Sequence, residues 1–316
     1  MSIRHTLAWV AIACTTLVAQ TRVLHIETGL KVPFTFLSFG DTRFTNPADH
    51  TAANPEARRL LVKAMADQHP AFISIGGDIA YNGNDLNDWK VFDEETAVWR
   101  AQKIPVYPIL GNHDLHGKEA TALTNYFQRF PVIQNARFYS VRAANALLLN
   151  LDSSLDELAG PQGLWIKEQL DSLAPGVDFI FLVLHHPPYT SSSDDQKFGG
   201  GHSIRESEKQ LARMLEARQA LTRARFVVLS SHVHNYERHE HGGVVYIVTG
   251  GGGAHAYPIE RAPEDLFQSK RVNYHFLQVR VEQGVATITM RRLGLEAPAP
   301  LWTSEDAVRI ITAGKS

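Results

Sequence analysis

The stretch Phe226-Val227-Val228-Leu229-Ser230-Ser231-His232-Val233-His234-Asn235-Tyr236-Glu237-Arg238 decides how the chain is read. An apolar, β-branched run ends in two histidines one residue apart, the pattern of a buried strand that delivers two imidazoles to its C-terminal end. Imidazoles placed this way can hold a metal. The reading then depends on whether other apolar runs end in carboxylates, amides or further histidines.

Several do. The most apolar run, residues 179–184, ends on His185-His186-Pro187-Pro188-Tyr189. Residues 34–40 read as a strand that stops at Asp41, residues 71–75 as one that breaks at Gly76-Gly77-Asp78, and residues 104–110 as one that ends in Gly111-Asn112-His113-Asp114. Between them, Asn54-Pro55-Glu56 is a helix start, a capping side chain followed by a proline whose missing N–H costs nothing there, and the helix should run to about Gln68. A second helical stretch covers residues 85–100. Strand, polar loop and helix thus alternate as in βαβ units, whose ligand sites lie beyond the carboxyl ends of the strands. Further on, residues 137–142 and 146–151 predict a hairpin, 163–173 and 204–220 predict helices, and 276–281 with 286–291 predict a last hairpin turning at Gln283-Gly284. Residues 190–201 turn polar and Gly/Ser-rich, a mobile loop near the site. The strand expected over 244–249 runs into Gly250-Gly251-Gly252-Gly253.

The chain has 316 residues, 44% hydrophobic and 20% charged, with a formal net charge of -2. These values describe a globular protein with a full core and give no electrostatic footprint for nucleic acid or an anionic membrane. No repeat, low-complexity linker or composition break divides it, so residues 21–316 are expected to form one catalytic domain. Residues 1–20 read as a secretory signal, with Arg4 and His5, an apolar run to Leu17 and small residues near Ala19. The run is shorter than the roughly 20 apolar residues of a membrane span. Secretion or periplasmic export is therefore expected, with lipid attachment at Cys14 the weaker alternative. Cys14 is the only cysteine, so a metal in the mature protein must be held by nitrogen and oxygen.

Polar residues of metal-ligand type therefore stand at five strand ends: Asp41, Asp78, Asn112, His185, and His232 with His234. Singly, such an Asp is a turn residue or cap and such a His a satisfied core residue. Together they would converge along one sheet edge. In this order, Gly40-Asp41, Gly77-Asp78-Ile79-Ala80-Tyr81, Gly111-Asn112-His113-Asp114, Val183-Leu184-His185 and Ser231-His232-Val233-His234 resemble the calcineurin-like metallophosphoesterases, over residues 34–253. The Asp78-to-Tyr81 spacing, His185-His186-Pro187-Pro188-Tyr189 and the stretch from His232 to Arg238 are similar to the purple acid phosphatase branch, in a compact single-domain form. The resemblance implies a four-layer α/β/β/α sandwich of two mixed sheets with the metal site at the C-terminal ends of the strands. It also implies hydrolysis of phosphate esters, acid-phosphatase-like on monoesters; the alternatives are a manganese or zinc phosphodiesterase and an inert phosphate-binding relative.

Carried over by position, the resemblance implies two metal ions, iron paired with iron, zinc or manganese. Asp78 would bridge them, Asp41, Tyr81 and His234 would complete one site, and Asn112, His185 and His232 the other. Carboxylate, phenolate, amide and imidazole suit such ions. A pair roughly 3.5 to 4 Å apart clamps the attacking and leaving oxygens of an in-line displacement and makes hydroxide available near neutral pH. His113 would stabilise the phosphate or protonate the leaving alkoxide. Asp114 either orients that ring or is a turn residue. His202 either donates a second proton or is a surface histidine.

Three features depart from the pattern. Arg43 stands where most of the superfamily has a histidine. A guanidinium has no lone pair to give, so Tyr81 would supply the missing ligand, its alternative being packing, while Arg43 would reach the substrate phosphate or pair with Asp41. Ser231 replaces a glycine, a change the turn should accept. The N-terminal sandwich domain of the plant purple enzymes has no counterpart in the short stretch expected between the signal and the strand at residue 34. The four glycines at 250–253 lack the lysine and hydroxyl of a phosphate loop and predict a tight turn close to the metals. Asp93-Glu94-Glu95 reads as a solvated helix face, and Trp89, Phe92 and Trp99 as core.

Overall fold

The structure is a computed structural model that describes residues 23–155, 160–193, 202–295 and 299–312. The expected signal with Cys14, and residues 194–201 of the expected loop, lie outside the described residues. Two mixed sheets face each other. In spatial order the first holds β1 (Leu24–Glu27), β5 (Tyr139–Ala143), β6 (Ala146–Asn150), β7 (Phe179–Val183), β8 (Arg225–Ser230), β10 (Val244–Thr249) and β9 (Tyr236–His241). The second holds β13 (Leu301–Ile311), β12 (Val285–Gly294), β11 (Tyr274–Glu282), β2 (Phe34–Phe39), β3 (Ile73–Ile75) and β4 (Val106–Pro108). The first sheet has a parallel centre, β6-β7-β8-β10, whereas in the second the parallel strands β2-β3-β4 form one end and β11-β12-β13 continue it antiparallel.

Alternation along the central strands builds the layers. Leu149, Ile180, Leu182, Phe226 and Val228 face α5 (Pro161–Asp171) and α6 (Glu206–Gln219), packing on Trp165, Ile166, Leu211 and Leu215. Their neighbours Leu148, Phe181, Val227 and Leu229 turn the other way, into the larger core shared with the second sheet. Phe181 there meets Phe36 edge-on with ring centroids 5.2 Å apart. The far face of the second sheet is covered by α1 (Pro55–Asp67), α2 (Leu86–Glu95) and α3 (Ala97–Ala101), and Trp99 of α3 donates its indole N–H to Val62 O of α1. The four-layer sandwich follows, with Trp89, Phe92 and Trp99 buried as expected. Asn54 caps α1 through its side-chain oxygen on Ala57 N, with Pro55 in the first turn.

The structure corrects the sequence reading at several elements. The strand at residue 34 is the second: β1 precedes it and pairs in parallel with β5 at the edge of the first sheet. β9 and β13 had no apolar alternation to announce them; α4 (Glu119–Arg129) follows the Asn112 loop. The acidic run on α2 is not a solvated face as a whole. Glu95 forms a two-pronged ion pair with the fully buried Arg58, at 2.8 and 2.9 Å, and Asp93 pairs with Arg129 at 2.9 Å, leaving Glu94 to solvent.

Ser231 is more than a tolerated replacement. Its side chain is wedged between the ends of β2 and β3, where a Cβ on Gly40 or Gly76 would lie 2.1 or 2.2 Å from its Oγ. The wedge predicts that Gly40→Ala costs about 1–3 kcal/mol by overpacking, measured by urea unfolding, and that adding Ser231→Gly recovers most of the loss. Simple additivity of the two changes would refute the contact.

Candidate metal centre

The residues singled out at strand ends meet at the seam between the two sheets rather than along one sheet edge. Asp41, Asp78 and Asn112 follow β2, β3 and β4 of the second sheet; His185 follows β7, and His232 and His234 follow β8 of the first. The turns that release them are tight. Asp41, Arg43, Asp78 and His232 have positive φ angles of 55, 43, 52 and 71°, a backbone state that L-residues hold only when the surroundings impose it. Asp41 N donates to Gly77 O and Arg43 N to Asp78 O, lacing the first two loops together. Gly111 and Gly250 let the chain come close, since a Cβ at these positions would lie 2.4 Å from Asp78 Oδ1 and 2.6 Å from Asp41 Oδ2. The four-glycine turn thus passes the centre as expected.

Asp41 Oδ1 and His234 Nε2 face each other at 3.6 Å, both buried and without a hydrogen-bond partner. Asp78 completes this group, the three ligand atoms lying within 4.8 Å of one another. Beside it, His185 Nε2 lies 3.1 Å from Asn112 Oδ1, 3.1 Å from His232 Nδ1 and 3.4 Å from Asp78 Oδ1. The rings are fixed from behind, His185 Nδ1 on Gly76 O and His234 Nδ1 on His255 O, both at 2.9 Å. A carbonyl only accepts, so each Nδ1 carries the hydrogen and each Nε2 turns its lone pair inward. Burial pushes the pKa values of His185, His232 and His234 down, which keeps the rings neutral. Burial and the charge of Asp78 push the Asp41 carboxyl up. Burial also works against charge on Asp78, but the Arg43 guanidinium and the backbone N–H of His113 hold its carboxyl below the usual range. Inward lone pairs, a buried Asp41 oxygen without a partner and neutral imidazoles are what a cation needs, so these residues fit metal ions on both sides of Asp78.

The remaining candidates lie around this group. His113 donates Nδ1–H to Tyr81 O at 2.7 Å, and its backbone N–H donates to Asp78 Oδ1 at 2.8 Å. Burial lowers its pKa to about 4, against the pull of Asp78. The Tyr81 ring lies beside the His113 ring, centroids 5.3 Å apart, and is 37% exposed, so it stands at the mouth while the carboxylates are buried. Asp114 does not orient the His113 ring; the Tyr81 carbonyl does. Asp114 instead accepts from Ile79 N, Ala80 N and Gly111 N at 2.9, 3.1 and 2.9 Å, bracing the Asp78 loop against the Asn112 loop. His202 stands over the histidine pair, edge-on to His232 at 4.5 Å and 6.2 Å from His234. Arg43 pairs with Asp78, Nη2 to Oδ2 at 3.3 Å, not with Asp41.

Sequence reading missed three neighbours. Tyr257 accepts from His234 N at 3.2 Å and stacks on His202 at 5.9 Å; it sits in an irregular stretch with no motif. The His186 ring lies 4.4 Å from that of His232, and only its adjacency to His185 signalled it. Glu237, His239 and Asp265 form a second buried group of possible ligands, but their oxygens are engaged. Glu237 accepts from Thr190 Oγ1 and Ser191 N, and Asp265 accepts from Ser191 Oγ and Arg261. This group anchors the start of the loop after β7.

An α/β sandwich with an all-nitrogen-and-oxygen ligand cluster at the seam of its sheets defines the class. The chain belongs to the calcineurin-like phosphoesterases, whose family model matches residues 34–236. Among solved structures it is similar to a purple acid phosphatase from yellow lupin (Lupinus luteus) seeds, with 17% identity and a TM-score of 0.70 over 90% of this chain. It spans 54% of the lupin enzyme's length. It is similar also to GAP50, the anchor in the inner membrane complex of Plasmodium, with 16% identity and a TM-score of 0.63 over 90% of each chain. A dimetal phosphatase from Danio rerio matches at 13% identity and a TM-score of 0.57 over 89% of this chain and 99% of that one. At these identities the likenesses establish the fold. Among the described residues no helix is long and apolar enough to cross a membrane.

The Asp114 brace is testable. Asp114→Ala leaves three buried N–H groups unpaired and should lower stability by about 2–4 kcal/mol, read by denaturant unfolding, with Asp114→Asn losing less because one acceptor remains. Unchanged stability in Asp114→Ala would return the residue to a role on the His113 ring.

Proposed function

We propose that the chain is an exported metallophosphoesterase that hydrolyses phosphate monoesters, acid-phosphatase-like, at a two-ion centre held by Asp41, Asp78, Tyr81, Asn112, His185, His232 and His234. The observation that carries the reading is the division of the Asp78 carboxylate, with Oδ1 turned to His185 and Oδ2 to the opposite side. Bound there, ions of the iron, zinc or manganese type would activate water and neutralise the phosphate charge. With Nδ1–H tied to the Tyr81 carbonyl, His113 turns the Nε2 lone pair toward the cleft. It would protonate the leaving oxygen only as the imidazolium, a form that burial opposes and that the negative charge of a bound phosphate would favour. His202, above His232, suits the phosphate oxygens on the other side of the cleft. The buried walls of Gly111, Gly250 and Val233 keep bulk water from behind the carboxylates. Export rests on the composition of residues 1–20 and monoester preference on the purple-phosphatase pattern of Tyr81 and the His232-to-Arg238 stretch; both are parts of the proposal.

Asp78→Ala and His232→Ala should each lower turnover of an aryl phosphate monoester by about 10³-fold or more while thermal unfolding stays cooperative. Full hydrolysis by either variant after chelation would overturn the reading, and a faster rate on the matching diester would replace monoester preference with phosphodiesterase activity. If an iron(III) ion is held by the Tyr81 phenolate, the purified protein absorbs in the visible range. Tyr81→Phe should then abolish the band without emptying the other site, as counted by elemental analysis.

A further inference from the structure

Arg43 is fixed where it cannot be ignored. Its backbone is pinned from both sides, Arg43 N donating to Asp78 O at 2.9 Å and Arg58 Nη1 donating to Arg43 O at 3.1 Å. Its side chain is 15% exposed, Nη2 lies 3.3 Å from Asp78 Oδ2, and the buried Nε has no hydrogen-bond partner. The contacted oxygen belongs to the carboxylate that shares the Asp41 and His234 side of the centre. A guanidinium does not lose its proton in a protein, so it cannot yield to an incoming ion by deprotonating. It must either move away or remain as a like charge beside the ion. Without an ion it performs a necessary service, because Asp41 and Asp78 are both fully buried and would otherwise repel each other with no cation near. Among the described residues no guanidinium pairs with a donor on the Asn112 side, where His185 Nε2 and His232 Nδ1 lie 3.1 Å apart. The charge of Arg205 reaches His185, but its guanidinium is paired with Glu208.

We propose that Arg43 is a resident cation that competes with a metal ion for the Asp41–Asp78–His234 position, so that the two metal positions differ widely in affinity. The position of Asn112, His185 and His232 fills first and holds its ion. The position of Asp41 and His234 fills only at higher metal concentration, as the guanidinium leaves Asp78 Oδ2. The inference rests on the ligand assignment of the proposed function but not on its reaction.

The test is titration of the metal-free full chain with Mn²⁺ by calorimetry, with equilibrium dialysis and elemental analysis to count ions. The wild-type chain should take up two ions in steps separated by about 100-fold or more in Kd, and Arg43→Gly should tighten the weaker step by about tenfold or more. Glycine is the replacement of choice because the φ of 43° at this position suits it. Arg43→Lys, which keeps the charge, should leave the weaker step weak. Asp41→Ala added to Arg43→Gly should remove the tightened step and so locate it. Two ions of equal affinity in the wild-type chain, or a weaker step that Arg43→Gly leaves unchanged, would overturn the proposal. Uptake of no ion at all would overturn both it and the ligand assignment. Hydrolysis by wild type and Asp78→Ala is assayed separately, so ordered metal uptake in a chain that cleaves no ester would refute the function and leave the Arg43 inference standing.

Discussion

Two carboxylates without access to water set the terms for everything near them. Asp41 and Asp78 are fully buried, and with His234 their ligand atoms fall within 4.8 Å. At about such a separation like charges cost on the order of 4 kcal/mol in an environment of intermediate polarity. The protein does not relieve this by dispersing the pair. It surrounds the pair with groups that reward negative charge: the backbone N–H of His113 on Asp78, the backbone N–H of His232 on Asp41, and the Arg43 guanidinium. The three inward imidazoles stay neutral, so they add lone pairs without adding protons.

The sandwich makes this arrangement possible because no single sheet could. One sheet brings the oxygens of Asp41, Asp78 and Asn112, the other the nitrogens of His185, His232 and His234. Hard and softer donors therefore arrive from opposite sides and meet across a gap set by sheet packing. Ser231 measures that gap, its side chain filling the space left by Gly40 and Gly76. The fold itself does not decide chemistry, since the same architecture serves a phosphatase and a membrane-complex anchor. The distinguishing content lies in side chains such as Arg43 and His202.

The strand ends were legible because burial on both faces makes strands such as β7 and β8 continuous apolar runs, and each ends abruptly in a polar residue. What the runs could not state was which sheet each belonged to, so one edge was expected where there are two. β9 reads Tyr-Glu-Arg-His-Glu-His and is a strand only because β10 pairs with it residue by residue from His241 to Tyr236. β13 is an edge strand, largely open to solvent, with no apolar period. Glu95 looked solvated because its partner, Arg58, lies on a different helix. Asp114 looked catalytic from its position beside His113, although its carboxylate points back into the loops. Tyr257 depended on a turn whose path no local signal encodes. Glu95 and Asp114 share a cause, a partner 37 and 35 residues away in sequence, whereas β9 and β13 are made strands by the neighbour each meets in a hairpin.

The pairing of β2 with β11 has a consequence for how the molecule comes to exist. Ser38 lies opposite Leu277, so the strand that leads to Asp41 pairs on this side with a segment 239 residues further along the chain. All seven proposed donors, from Asp41 to His234, leave the ribosome before that partner does. A growing chain therefore holds every donor while the edge of β2 is still open, and long-range pairings of this kind close late and slowly. Until then that edge is free to pair with other strands. The strands β11, β12 and β13, which contribute none of those donors, extend the sheet whose loops carry four of them, Asp41, Asp78, Tyr81 and Asn112.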